Sequence, residues 1–268
     1  MDRSIRGRAR AYARFLGASF SANLKSVLEY RANFLLQVFG MMLNNAAFAL
    51  FWGILIDRTG GIGGYSFEDV MVVWALVSTA FGLAHVVAGN LRNLGGIAVR
   101  GELDVYLLQP KDAFVNVLCS RTGVSAWGDF LYGYLVLCLL PGLGAGRLLL
   151  FSLLAAEGAL VFAAAFAAAE CLAFFLGNSR SLSEALHEFL LSFSLYPEKV
   201  FDPGMRWAFY TILPSGFIAF VPLAAFKAMD WGLVPILFLV AAAYMAASYA
   251  LFRAGLKRYE SGNQMGTR

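Results

Sequence analysis

The sequence predicts an all-α integral membrane protein. A single transmembrane domain spans residues 1–268, with an N-terminal interfacial helix, six transmembrane helices and a re-entrant helical hairpin between the fifth and sixth. Three observations lead there. Hydrophobic residues make up 60% of the chain and charged residues 14%, against about 45–50% and 25% in soluble domains. The apolar residues come in long runs: 33–56, 70–89, 148–176 and 235–252 each approach or exceed the roughly 20 residues needed to cross the hydrocarbon core. These runs lack the alternation of barrel strands, so their backbone polar groups must be satisfied inside helices.

The first element is basic, with seven Lys/Arg in residues 1–31. The apolar run that begins near Ala32 is too long for a signal-peptide core, so the first span is expected to remain as an anchor. Within this region residues 12–31, "YARFLGASFSANLKSVLEYR", are amphipathic. Phe15, Leu16, Phe20, Leu24, Val27 and Leu28 recur at helical steps while Arg14, Ser21, Lys25 and Glu29 fall elsewhere. Such a helix lies in the membrane interface. Packing on the protein's own loops is the alternative, and the two are compatible.

The first span covers 33–56 and is followed by the Gly-rich loop 57–69. The second covers 70–90, the third 115–141 and, after the tight turn 142–147, the fourth 148–177. Residues 178–232 admit two arrangements. In one, 181–197 is the fifth span and 205–227 a re-entrant hairpin. In the other, 181–197 lies on the inner surface and 206–227 is the fifth span. Pro214 and Pro222 would break a continuous helix, and a half-inserted hairpin buried in protein tolerates such breaks, which favours the first arrangement. The last span is 233–254, followed by a polar tail. On this topology one side carries 16 of the 21 Lys/Arg, which places both termini in the cytoplasm.

The longest inner loop holds "RGELDVYLLQPKD" at 100–112, an unusually charged stretch for this chain. Residues 97–110 read as a short amphipathic helix with a Pro stop. Ile97, Val99, Leu103, Leu107 and Leu108 are placed inward and Arg100, Glu102 and Asp104 outward. A helix lying across the ends of two spans is a handle by which a soluble partner can tilt them.

Ionisable residues within spans are costly and are functional candidates. Asp129, Glu170, Glu184, His187 and Glu188 are assigned to a possible translocation path, with Glu170, Glu184 and Glu188 forming an acidic inner vestibule suited to a cationic or amphipathic substrate. The alternative for each is a structural bond at a helix end or to the inner loop. Glu157 and Glu170 share a span but lie about 140° apart on the helical wheel, so they form no pair. His85 is expected to be a packing histidine, and Asn44 and Asn45 interhelical contacts.

Four stretches, "LEYRANFLLQ" at 28–37, "RGELDVYLLQP" at 100–110, "YPEKVF" with "ILPSGFIAFVPLAAF" over 196–226, and "GLKRYESGN" at 255–263, occur in an order that resembles the ABC-2 (type V exporter-like) permease subunits of ABC transporters, in particular a bacterial branch of six-span permeases. The resemblance implies an interfacial elbow helix before the spans. It makes Arg100, Gly101, Glu102, Leu103, Asp104 and Pro110 a coupling element docked on an ATP-binding cassette ATPase. It has Tyr196 and Pro197 close the fifth span, and Pro214 and Pro222 shape the hairpin. It also implies an exporter in the bacterial cytoplasmic (inner) membrane, working as a dimer of identical or paralogous permeases. ATP and Mg would sit on the partner ATPase, with no cofactor on this chain.

Other classes fit less well. No GxxxxGK[ST] occurs, so no P-loop binds ATP. Positive charge flanks the spans rather than interleaving with aromatics, which argues against nucleic acid. Cys119, Cys138 and Cys171 lack metal-ligand spacing and read as small buried hydrophobes, with Cys119 and Cys138 on one helix. A stand-alone secondary carrier should show inverted repeats, and an intramembrane serine protease needs a GxSG serine with a histidine on a later span, whereas "GNSR" at 177–180 lacks the last Gly and no His follows residue 187. Neither feature is present, so no catalytic or metal-binding residue is assigned.

Overall fold

The computed structural model describes residues 2–61 and 63–259, with side chains described from residue 11 onward. The side chains of Arg3, Arg6, Arg8 and Arg10, and the tail from residue 260 with part of the "GLKRYESGN" stretch, lie outside the described residues. What is described is helical throughout, in the chain order α1 (Asp2–Glu29), α2 (Arg31–Thr59), α3 (Phe67–Val87), α4 (Leu94–Val99), α5 (Asp104–Leu107), α6 (Ala113–Leu118), α7 (Ala126–Leu139), α8 (Ala145–Cys171), α9 (Ala173–Leu176), α10 (Arg180–Leu195), α11 (Pro203–Ala208), α12 (Val221–Ala228) and α13 (Leu233–Leu256).

Among the described residues four segments are long and apolar enough to cross a membrane: Arg31–Thr59, Phe67–Val87, Ala145–Leu176 and Leu233–Leu256. Their burial sets the layout. In the most apolar stretch of each, 83% of α3 and 67% of the α8–α9 segment is buried, against 17% for α2 and for α13. A helix apolar on all sides belongs in the centre. Accordingly α3 is enclosed by α2, α7, α8 and α10, and α13 packs on the other side of α8. The start of α3 is fixed by a capping box: Ser66 Oγ accepts from the Asp69 amide, and Asp69 Oδ2 accepts from the Ser66 amide. Asp69 also pairs with Lys227 in the last turn of α12.

The expected third span, 115–141, is not one helix. It divides into α6 and α7, with non-helical residues between them. The polar groups of "CSRTGVS" find partners on the end of α3, which a continuous helix would forgo. Thr122 Oγ1 donates to the Val86 carbonyl at 2.7 Å, the Gly123 amide to that of His85 at 2.9 Å, and the Gly89 amide to that of Arg121 at 2.9 Å. Cys119 and Cys138 therefore sit on either side of a break, and both thiols, like Cys171, are free. At 14 and 16 residues, α7 and α10 reach roughly 21 and 24 Å, less than the ~30 Å hydrocarbon core.

The region before α13 is irregular for identifiable reasons. Tyr196 leaves α10 in an extended conformation, as the residue before a proline prefers. Further on, residues Gly216–Phe220 form a wide π turn leading into α12. Pro222 near the start of α12 has no amide to close an ordinary turn. Residues 197–200 pack beside the glycines of the loop after α2, and Tyr196 rests edge-on against Trp52. The other end of α10 carries Arg180, and Glu188 in the middle of the helix is bonded to Arg92.

The N-terminal helix does not lie apart from the rest. Asn23 Nδ2 donates to the Cys119 carbonyl at 3.0 Å, Phe20 packs on Trp127, and the Tyr12 hydroxyl accepts the Asp112 amide at 3.1 Å. Packing on the protein's own loop, one of the two roles expected for this segment, is thus observed.

Candidate functional site

Two regions carry the candidate residues. The first is the platform formed by residues 88–125. The expected helix over 97–110 is two short helices, because Gly101 reverses the chain with φ of 74°. The Glu102 amide bonds back to the Ile97 carbonyl and the Gly101 amide to that of Ala98, a Schellman closure that requires a residue tolerant of left-handed φ. Leu103 is fully buried beneath the turn and Ile97 is nearly so. Leu108, placed inward by the sequence pattern, is 88% exposed, and Val105 and Leu107 are also exposed. The cause is the reversal at Gly101, which starts a new helical phase. Pro110 is exposed two residues past Leu108.

The platform's charges are tied down differently from one another. Arg100 makes two hydrogen bonds to Glu102, at 2.7 and 3.0 Å, on the open surface. This pairing holds the Glu102 carboxyl below its ordinary range. Asp104, expected to face outward, instead accepts from the Tyr259 hydroxyl at 2.9 Å. Burial, then the bond to Asp104, pushes that phenol up to about 12. Asp112 caps α6 and accepts from Tyr249 on α13 at 2.7 Å. Lys111 lies over the rings of Tyr12 and Phe15. Glu170 on α8 accepts the Gly95 amide of α4 at 2.8 Å. The platform is thus fastened to α1, α8 and α13.

The second region is a cavity of about 510 Å³ bordered by α2, α3, α7 and α10. Asp129 lies in its wall. It gets there because α7 approaches α2 with almost no gap: a Cβ on Gly128 would stand 2.5 Å from the Val38 carbonyl oxygen. Asn45 Nδ2 donates to Asp129 Oδ1 at 2.7 Å, and Asn45 Oδ1 accepts from Trp74 Nε1 at 3.3 Å. Asp129 Oδ2 is buried with no partner among the described residues. Rings of Phe48, Phe51, Trp52, Trp74, Phe81 and Tyr196 line the rest.

Glu170, Glu184 and Glu188, expected to form an acidic vestibule, each have a local partner. Glu170 holds α4 and lies 3.9 Å from His187 Nε2. Glu184 pairs with Arg180 at 2.8 Å, and Glu188 with Arg92 at 2.9 Å. Of the five path candidates, Asp129 and Glu188 line the aromatic cavity. His187 faces away from it, stacked near Phe166 with its Nε2 3.3 Å from the Phe166 carbonyl, and it borders an apolar groove between α8, α10 and α13 with Pro214. Tyr196 closes the cavity beside Trp52, while Pro197 and Pro222 lie outside it. His85 stacks on Phe81 and bonds its carbonyl, as a packing histidine does. Glu157 is fully buried, and neither carboxyl oxygen has a partner among the described residues.

Sequence reasoning missed Trp74, Tyr249, Tyr259 and the rim role of Arg92. Asn45 was legible only as a polar residue in a span. A comparison with protein-family models matches residues 42–263 to the family described as ABC-2 family transporter protein. No curated protein and no solved structure matches the chain.

Proposed function

The chain belongs to the ABC-2 transporter family, and from that premise we propose that it is the permease subunit of an ATP-driven exporter. It is a multi-pass membrane protein and a transport component rather than a catalyst. In the proposed assembly two permeases, identical or paralogous, form the translocation path in a bacterial inner membrane. Their termini are cytoplasmic, and the α6–α7 segment and the region of α10 complete six crossings, with the segment 205–227 re-entering from the outer side. Separate ATP-binding subunits, carrying ATP and Mg, supply the energy.

The observation that carries this reading is the platform. Its surface offers an apolar knob, Val105 and Leu108, beside the Arg100–Glu102 pair. Its underside is fastened to three helices through Gly95–Glu170, Asp112–Tyr249, Asp104–Tyr259 and Tyr12–Asp112. A partner that grips the knob therefore displaces α1, α8 and α13 together. Glu102 contributes as part of a neutral pair, whereas Asp104 acts through Tyr259. Gly101 and Leu103 set the turn and its anchor, and Pro110 ends the knob.

The test is Leu108→Asp, which puts an unpaired charge where an apolar contact is expected and touches no buried group. Loss of the ATP-binding subunit on gentle purification, with the permease still inserted and monodisperse, is the expected result. Retention of that subunit at unchanged stoichiometry would remove the knob from the interface.

A further inference from the structure

We propose that the cavity between α2, α3, α7 and α10 binds an organic cation, held by Asp129 and the aromatic rings of its lining. This names a substrate class for the exporter reading and rests on it.

The first support is the locked amide of Asn45. Its Nδ2 donates both to Asp129 Oδ1 and to the Met41 carbonyl, at 2.7 and 3.1 Å, while its Oδ1 accepts the Trp74 N–H. An indole nitrogen can only donate, so the amide cannot be reversed. Asp129 Oδ1 is therefore fixed as an acceptor, and Oδ2 is left buried without a partner among the described residues, on a side chain that lines the cavity. Asp129 is only 6% exposed, so water compensates it poorly and a positive ligand group answers the vacancy.

Aromatic lining is the second support. Phe48 and Trp74 stack with centroids 5.1 Å apart and planes at 27°, and Trp52 meets Tyr196 edge-on at 5.5 Å. Aromatic faces attract cations through the ring quadrupole, and desolvated sites attract them most. Arg92, the one basic side chain among the described residues of the lining, is already bonded to Glu188, so Asp129 is the acidic side chain there with no basic partner. An anion would meet a carboxylate with no free cation to hold it. A metal ion would need several hard ligands, and no group of three His, Cys, Asp or Glu that could hold one occurs among the described residues. A bulky organic cation fits both the carboxylate and the rings.

The test uses the full chain in lipid nanodiscs and two probes of matched shape and opposite charge, tetraphenylphosphonium and tetraphenylborate. Binding is read by equilibrium dialysis after subtraction of protein-free discs. Saturable binding of the phosphonium alone is expected. Asp129→Asn, which preserves the acceptor toward Asn45, should weaken it tenfold or more, and Asp129→Glu should restore part of the loss. Phe48→Leu, which keeps apolar bulk without a ring, should weaken it severalfold and serves where Asp129→Asn fails to fold. Equal binding of both probes, or phosphonium binding that neither Asp129→Asn nor Phe48→Leu alters, would overturn the site. Retention of the ATP-binding subunit is scored on the same preparations. Its loss with phosphonium binding intact would sink the exporter reading and leave the site standing. Its retention without phosphonium binding would do the reverse.

Discussion

Replacing Glu170 separates two roles for a carboxylate in the membrane. Its Oε2 accepts the Gly95 amide at 2.8 Å, and both residues are buried. In Glu170→Ala the Gly95 N–H loses its acceptor, and the adjoining cavity of about 270 Å³, lined by Gly95, Glu170 and Ala173, lets water offset part of that loss. An orphaned buried amide costs about 1–3 kcal/mol. Local opening of α4 should rise by up to the corresponding factor, roughly 5- to 150-fold. In Glu170→Gln the side-chain carbonyl still accepts the bond, so most of the protection should survive. Amide hydrogen exchange over 94–103 reads this directly, since exchange from a local opening reports its free energy. Faster exchange in the alanine variant, near-normal exchange in the glutamine variant and phosphonium binding unchanged in both are expected. Unaltered exchange in the alanine variant together with altered phosphonium binding would refute the assignment and return Glu170 to the translocation path.

Gly128→Leu forces side-chain bulk into the Val38 carbonyl. An overpacking cost of about 1–3 kcal/mol is expected, seen as a lower thermal midpoint and as weaker phosphonium binding once Asp129 withdraws from Asn45. Tyr259→Phe and Asp104→Ala, each alone and combined, should show a coupling of about 0.5–3 kcal/mol in a stability cycle, and an additive pair would mean that the hydroxyl bond contributes nothing. The Glu102 carboxyl is held below its ordinary range by Arg100. Its pairing is therefore present above the ordinary carboxylate pKa and lost as pH falls through the lowered value. Because both partners are about half exposed, Glu102→Gln should leave the thermal midpoint at neutral pH unchanged within error, and a clear drop would show a larger role.

The long spans were legible because apolar length is written directly in the sequence. The central place of α3 is consistent with its uniformly apolar run, while the charged loop stood out by contrast with its surroundings. The break between α6 and α7 was not legible. The donors of Thr122 and Gly123 find their acceptors on Val86 and His85, and nothing local marks those carbonyls as available. The platform's fastening has the same character: Asp104 meets Tyr259 across 155 residues and Gly95 meets Glu170 across 75. Gly101 could have been read as a reversal, since a glycine followed by a buried leucine fits a helix end. Asp129 was flagged as costly where it stands, but its partners lie 84 residues away at Asn45 and, through Asn45, at Trp74. Distance along the chain hid the cavity. The partners of the vestibule carboxylates were hidden for a related reason, since pattern alone does not show that Arg92 and Arg180 reach Glu188 and Glu184.

The most direct measurement of the central claim is native mass spectrometry of the complex extracted gently from its own membrane. Two permease chains with two ATP-binding subunits, dissociating from the platform in Leu108→Asp, is the predicted composition. A chain that emerges alone or only with copies of itself, with no ATP-binding subunit under any extraction, would contradict the permease account.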